Sequence, residues 1–581
     1  MATKRPMATG GGGRAWKLKK TKRERNIAEG SSEDVLRLDI LALSRRQQGD
    51  AQAEEPRDGE LRNEEPRDRE PRDEKPADKK PTDAQPIDQE LPERGTIVDV
   101  TVAEISSTGD GLGTRAGSRR IYVVPFSVPG DTVKARVSRH VDDANADANA
   151  DASHSVADFV SVVKPSPLRD DSRIKCRYFA SCSGCQLQML DYAHQLRLKK
   201  RVVEKAYANF SNLPPDQVPA VGDTIASPLQ YAYRTKLTPH FDGPPGSSHG
   251  RRKNAAVFDA CPDIGFMRKG QRRVLDIEDC PIGTDVVRLG IKSERERMKR
   301  DHVNYHRGAT ILLRESTWRP SPGQDASHDQ DAPPQHDGYT LRVTNHDEKT
   351  LQIKTCVTNH KATTTEYIGP YIFSNPAGSF FQNNNSILPR FTDYMRTHIL
   401  PPSSSPSSQP GLKYLIDAYS GSGLFTITLA SLFTHSTGID IAADSIASAR
   451  DNARLNGLAD SRCRFLAADA LHLFANVDYP PDQTVVLLDP PRKGCDAAFL
   501  TQLRAFAPRR VAYVSCNVHT QARDVGVLVR GDGPGAKYRL TSLVGFDFFP
   551  QTGHVEGVAL LDRDHGPAEI TAHPLVEQPA T

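Results

Sequence analysis

The sequence predicts an α/β protein: a doubly wound, Rossmann-like sheet domain over 369–581, preceded by a small β-barrel at 94–165 and an α+β central region at 170–368. Three observations predict it. From Leu412 onward, short apolar runs alternate with amphipathic ones, the pattern of β-α units around a parallel sheet. Residues 95–164 alternate apolar and polar positions between Gly-rich turns, as in a small antiparallel barrel of about five strands. A chain of 581 residues also exceeds what one core holds.

Residues 1–93 read as a disordered, charged extension. Pro-Arg-Asp recurs at 56–58, 66–68 and 71–73, and such a composition buries too little apolar surface to offset chain entropy. Residues 14–25 carry seven Lys or Arg and one Glu. This is a nuclear-import or RNA-contacting tract, or simply a solvated charge run. A short helix is expected over Ser32–Arg46, with Ser32 as its cap.

In the barrel, 143–152 (DANADANADA) reads as a loop tip and Ala157–Lys164 as the closing strand. Arg119, Arg120, Lys134 and Arg136 are candidates for an RNA-facing strand surface, or an ordinary solvated face. The central region opens with a basic helix at Asp191–Asn209, containing His194, Arg197, Lys199, Lys200 and Arg201. A disordered insertion is expected at 319–338. Strands at Ala309–Arg314, Tyr339–Val343 and Leu351–Val357 flank it as an antiparallel sheet.

The C-terminal pattern begins with KYLIDAYSGSG, a strand running into a Gly turn. A helix at Leu424–Phe433 and a second strand, STGID, follow. Asp444–Gly457 is a helix with Asp444 as cap and Gly457 as stop. RCRFLAAD is a third strand and TVVLLDPP a fourth, its continuous apolar run suited to a sheet buried on both faces. Ala497–Phe506 is a helix and VAYVSC a fifth strand.

Net charge is only +3, so the total does not argue for a nucleic-acid partner. Nine cysteines, an odd number, point to a reducing compartment. No apolar run approaches the roughly 18 residues of a membrane span, and the N-terminus lacks the apolar core of a secretory signal. The expected location is intracellular, nucleus or cytoplasm, with a mitochondrial destination left open; the expected state is a monomer with no membrane association.

The chemistry lies at strand ends, where open α/β sheets bind ligands. The Gly turn at 417–423 lets a nucleotide-like ligand approach the backbone, but carries no phosphate-binding device. Asp440 ends the second strand, 19 residues after Gly421, placed to hold ribose hydroxyls; Asp469 ends the third, placed for an adenine amino group. Together they favour S-adenosylmethionine over NAD. Asp489 ends the fourth strand and is held by Pro490 and Pro491. Where an amine methyltransferase would carry an aromatic after the two prolines, this chain has Arg492, which argues against amine methylation. Cys516 ends the fifth strand. Alone it reads equally as a buried hydrophobe. Beside a sulfonium donor and with Glu556 downstream as a carboxylate base, it suits methylation of an electron-poor ring carbon such as carbon 5 of uracil.

The motifs FFQNNN (380–385), DAYSGSG (417–423), LLDPPRKG (487–494), VSCN (514–517) and TGHVE (552–556) resemble those of the RNA uracil-C5 methyltransferases, over roughly 94–565. The resemblance is greatest to the eukaryotic tRNA (uracil-5-)-methyltransferases. It implies a class I methyltransferase fold behind a TRAM/OB-like barrel. It implies Cys516 as nucleophile, Glu556 as proton acceptor, and Gln382, Tyr419, Asp440 and Asp489 around S-adenosylmethionine; Asp469 is added to that set from the strand pattern alone.

Cys176, Cys182, Cys185 and Cys280 can supply four thiolates to a metal or cluster. They resemble the [4Fe–4S] ligands of the rRNA-modifying branch of the family. Their other reading is reduced structural cysteines, and Cys261 competes with Cys280. The target uridine must be flipped from its stack, which favours a loop of folded RNA. Tyr231, Tyr233, Arg234 and Lys236 are candidates for stacking and phosphate contacts. The expected substrate is the T-loop uridine of tRNA; the alternatives are an rRNA uridine or a non-catalytic RNA-binding or RNA-folding module.

Overall fold

The structure, a computed structural model, describes residues 28–53, 91–143, 152–244, 257–320, 340–345, 350–401, 411–468, 474 and 477–564. The charged tracts at 14–25 and 54–90, most of 143–152 and of 319–338, and Asp469 lie outside the described residues.

Five strands (Ile97–Ile105, Gly111–Thr114, Ile121–Val124, Thr132–Val141 and His154–Lys164) form a closed barrel. The pairing departs from the expected all-antiparallel pattern at one seam. Ile121–Val124 runs parallel to the last strand, which begins at His154 rather than Ala157. Arg120 does not face a ligand; it donates to the Val141 and His154 carbonyls and ties that seam together. Lys134 pairs with Asp99, and Arg119 and Arg136 are exposed.

The helix expected at Ser32–Arg46 runs over Ser32–Ala53. Its cap is Ser31, whose Oγ accepts from Asp34 N at 3.3 Å, not Ser32. It docks within the chain. Ile40, Leu41 and Leu43 pack on Leu112, Ile121 and Val123 of the barrel, while Val35 enters the core of the C-terminal sheet.

The central region contributes small antiparallel sheets, one ordered Thr340–Asn345, Thr350–Val357, Leu313–Trp318, Lys236–Leu237. The basic helix runs over Tyr192–Phe210 and is capped by Asp191, which accepts from His194 N at 2.8 Å.

The C-terminal sheet has seven strands: β1 (Tyr414–Ala418), β2 (His435–Asp440), β3 (Cys463–Ala467), β4 (Thr484–Leu488), β5 (Arg510–Ser515), β6 (Tyr538–Phe546) and β7 (Glu556–Arg563). Their order is β3-β2-β1-β4-β5-β7-β6. The first five are parallel, and β7 runs antiparallel to both β5 and β6. Alternation along β5 sends Val511 and Tyr513 into one core, with Val202, Tyr207 and Leu528, and Ala512 and Val514 into the other, with Phe391, Phe425 and Leu487. The sheet is thus buried on both faces, as the apolar run of β4 requires. The helix after β1 is shorter than expected, Leu424–Thr428 followed by a tight turn at Ala430–Leu432. The helix after β2 begins at Ala443, before the expected cap Asp444, which lies in its first turn; no side chain caps it, and Asp440 Oδ1 accepts from the Ala442 N–H just ahead of it. Among the described residues no helix is long and apolar enough to cross a membrane.

Candidate active site

Cys516 and Glu556 meet because of register. β5 and β7 pair antiparallel with Val514 opposite Val558 and Ser515 opposite Gly557. The ladder ends at that pair; Cys516 follows Ser515 just past the end of β5 and Glu556 precedes Gly557 at the start of β7, which brings the two close enough for the carboxylate to act on the thiol. Both also share parity with Ala512, Val514, Val558 and Leu560, which face a single core.

They open into a cavity of about 770 Å³. Its wall includes Gln382, Tyr419, Asp440, Asp489, Cys516 and Glu556, so every expected catalytic or cofactor residue within the described residues is gathered there. Asp469 cannot be placed, although Ala468, the residue before it, lines the same wall.

The end of β1 is shaped by backbone. Tyr419 holds a left-handed φ of 65°, costly for a bulky residue and sustained here where the chain turns into the cavity. Gly421 follows at φ 53°, with open space where a Cβ would stand, so a ligand can press against the main chain. Asp440 Oδ2 accepts from Gly421 N at 3.0 Å and its Oδ1 from Ala442 N at 2.8 Å, which fixes the carboxylate across the turn. Asp417 is fully buried at the base of the turn, accepting from Thr426 N at 2.9 Å and from Thr426 Oγ1. Burial pushes it up to about 7, with Asp440 adding to the rise. The volume, the glycine turn and the strand-end carboxylate fit an adenosine-bearing ligand such as S-adenosylmethionine.

The reacting end is a small electrostatic cluster. Burial pushes the Cys516 thiol up to about 11; Glu556 and Asp489 push the same way, while Arg492 opposes them by charge and by a hydrogen bond. Burial also raises Glu556, which is 2% exposed, and Asp489 raises it further. Asp489 itself is raised by burial and by Asp417. Arg492 is therefore the cation that acts on the thiol. It was legible only as the wrong residue for an amine methyltransferase; its place beside the thiol depends on a fold that the motif does not spell out. Its backbone is pinned by Asn517 Nδ2 at 2.9 Å and Thr520 Oγ1 at 3.1 Å, both donating to the Arg492 carbonyl. Phe380 is a second residue missed inside FFQNNN. It lines the cavity 77% exposed, an aromatic face open to a base.

Other candidates sort themselves by burial. Tyr233 is not a stacking residue: it is 2% exposed and donates to the Pro550 carbonyl at 3.1 Å. Arg234 lines the cavity. Lys236 donates to the Gly378 and Ser379 carbonyls. The Tyr231 ring carries Lys175 at 4.7 Å.

All nine cysteines are free. Cys176, Cys182, Cys185 and Cys280 gather closely enough to raise one another, after burial as the main cause, with Cys280 pushed up to about 12. Cys261 stands apart, near Arg295 and Asp276. Among the described residues, however, no three or more His, Cys, Asp or Glu stand in an arrangement that would hold a metal ion. The four thiols are partly exposed neighbours, and burial pushes each of them up, so they must lose protons before they can bind metal.

The family model for tRNA (uracil-5-)-methyltransferase matches residues 371–564. The tRNA (uracil(54)-C(5))-methyltransferase of Schizosaccharomyces pombe is 42% identical over 472 residues, covering 81% of this chain and 79% of that one. The enzyme of the same name from Saccharomyces cerevisiae is 38% identical over 495 residues, covering 80% and 74%. Among solved structures, the Pyrococcus abyssi tRNA (uracil-54, C5)-methyltransferase in complex with S-adenosyl-L-homocysteine shares the fold. It has a TM-score of 0.52 at 23% identity and covers 80% of this chain and all of that one.

Proposed function

Because this chain belongs to the tRNA (uracil-5-)-methyltransferase family, we propose that it methylates carbon 5 of the T-loop uridine of tRNA, uridine 54, through a covalent adduct on Cys516. The observation that carries the mechanism is that Cys516 and Glu556, each next to the last paired residues of β5 and β7, line one cavity together.

Carbon 5 of uracil is not nucleophilic by itself. Addition of the Cys516 sulfur to carbon 6 turns the ring into an enolate whose carbon 5 carries the electron pair. Gln382, Tyr419, Asp440 and Asp489 would hold S-adenosylmethionine, which when bound supplies an electrophilic methyl group. Glu556 then takes the carbon-5 proton, and the returning electron pair expels the Cys516 sulfur. Arg492 favours the thiolate throughout, both on attack and on departure. A flipped uridine is required, and the open face of Phe380 supports that reading. The barrel at 94–165 would act as a TRAM-type RNA contact. Cys176, Cys182, Cys185 and Cys280 would hold a [4Fe–4S] cluster only after losing their protons and drawing into a tighter arrangement than the one they have here, and it would brace the central region and take no part in the reaction; colourless, iron-free protein after anaerobic purification overturns that assignment.

The test uses S-adenosylmethionine with tRNA containing 5-fluorouridine, whose carbon 5 has no proton for Glu556 to take. A covalent protein–RNA species that survives denaturation is expected, and is lost in Cys516→Ala. An adduct that persists in Cys516→Ala, or none in the wild type, defeats the reading. An rRNA fragment as competitor distinguishes the two RNA classes.

A further inference from the structure

We propose that the segment 28–46 is a positioning element of the reaction: it seats on the turn that follows Cys516 and holds Asn517, and through it Arg492, in place.

The contacts form a continuous series. Gly30 sits with φ 72°, and a Cβ there would come within 2.9 Å of Thr520 Cγ2, in the first turn of the helix Val518–Arg530. The Gly30 carbonyl accepts from Asn517 Nδ2 at 3.2 Å. The same amide group donates to the Arg492 carbonyl at 2.9 Å, and Asn517 Oδ1 caps the helix by accepting from His519 N at 3.2 Å. Both N–H donors of one side-chain amide and one acceptor position of its oxygen are thus used, one donor by a residue 487 positions away in sequence. Arg492 in turn bonds the thiol.

The far end of the segment is anchored as firmly. Asp39, 1% exposed, accepts from Ser107 N at 2.6 Å and from Lys205 Nζ at 2.8 Å. Arg37 pairs with Asp143 and Arg46 with Glu104. Glu104 also receives Arg201 and Lys205 from the basic helix. The segment therefore ties three parts of the chain, the barrel, the basic helix and the nucleophile turn, to one another. The residue bonded to Asn517, Gly30, lies just before the cap Ser31, so the chain leading into the helix rests on the residue next to the nucleophile.

This inference rests on Cys516 being the nucleophile, and the Cys516→Ala adduct experiment tests that separately. In the full chain, Gly30→Ala forces a shift against Thr520. Thr520→Ser removes the methyl group it would strike while keeping the hydroxyl that bonds Arg492. The expected result for Gly30→Ala is a kcat lowered roughly 10- to 100-fold, the scale for small misplacements of a reacting group, with KM for tRNA unchanged. The pH at which Cys516 becomes half-alkylated, measured without RNA, should move upward. Gly30→Ala with Thr520→Ser should recover part of both, since the methyl clash is gone while the left-handed backbone strain at position 30 remains. If Gly30→Ala changes neither kcat nor the alkylation profile while the wild type still forms its adduct, the proposal fails. It also fails if kcat falls without any change in the profile, or if the double variant is no better than the single one.

Discussion

Lys199 and Asp547 form an ion pair in which both side chains are fully buried, at the root of the loop that joins β6 to Glu556. Tyr192 donates to the second carboxylate oxygen at 2.8 Å, and Lys199 Nζ reaches on to the Phe549 carbonyl at 2.9 Å. Gln195 and Gln551 bond each other from the same two elements. The basic helix thus uses its buried face to fix the loop that delivers the base.

Replacing Lys199 with Met leaves the Asp547 carboxylate buried without its cation, at a cost of about 3–5 kcal/mol. The expected outcome is an earlier denaturant midpoint with an unchanged slope, and a fall in kcat larger than any change in KM for tRNA. Equilibrium unfolding and steady-state kinetics on the same preparation check both.

Glu556→Gln removes the proton acceptor but leaves the thiol. Adduct should form and then persist, since nothing takes the carbon-5 proton, and turnover should fall by about 10²–10⁴. Denaturing gels with ordinary tRNA would show the trapped species that the wild type releases. An inactive variant that traps nothing would remove Glu556 from this role.

The free-enzyme thiol, pushed up to about 11, is mostly protonated at neutral pH. Because only the thiolate reacts, alkylation of Cys516 should speed up by close to tenfold per pH unit from about pH 7 to 10. Arg492→Ala removes the one neighbour that lowers this value, so its profile should lie at higher pH. Glu556→Gln removes one that raises it and should lie at lower pH. Mass spectrometry of the Cys516 peptide reads all three.

Asp440→Ala should weaken S-adenosylmethionine binding by about 1.5–3 kcal/mol, the range for a hydrogen bond to a charged group. It also loses the bonds to Gly421 N and Ala442 N that shape the turn. Calorimetry with S-adenosylhomocysteine would show the loss; unchanged affinity would place the ligand elsewhere in the cavity.

Much of this site was legible because strand ends announce themselves. β1, β2, β4 and β5 are apolar runs closed by Asp417-to-Gly423, Asp440, Asp489 and Cys516, so the motif order already places those groups on one sheet edge. The antiparallel return of β7 was not legible in this way; that it lies beside β5 is a long-range pairing that no local pattern encodes. Arg492, Lys199 and the docking of Ser32–Ala53 were illegible for the same reason. Their partners lie far away in sequence, and a Lys in a basic helix looks the same whether it is solvated or fully buried. Where local chemistry offers two equal solutions, as with Ser31 and Ser32, the sequence alone could not choose the cap.

The pairing of β5 with β7 also says which changes in chain length this enzyme can survive. Nucleophile and base each adjoin the last pair of a hydrogen-bond ladder, so variation in the turn at Asp532–Lys537, outside that ladder, costs the bonds of buried Arg504 to the Asp532, Gly533 and Ala536 carbonyls but leaves the spacing of the two groups alone. One residue inserted between Glu556 and Gly557 would turn the carboxylate through to the opposite side of the sheet and end the chemistry without unfolding the protein.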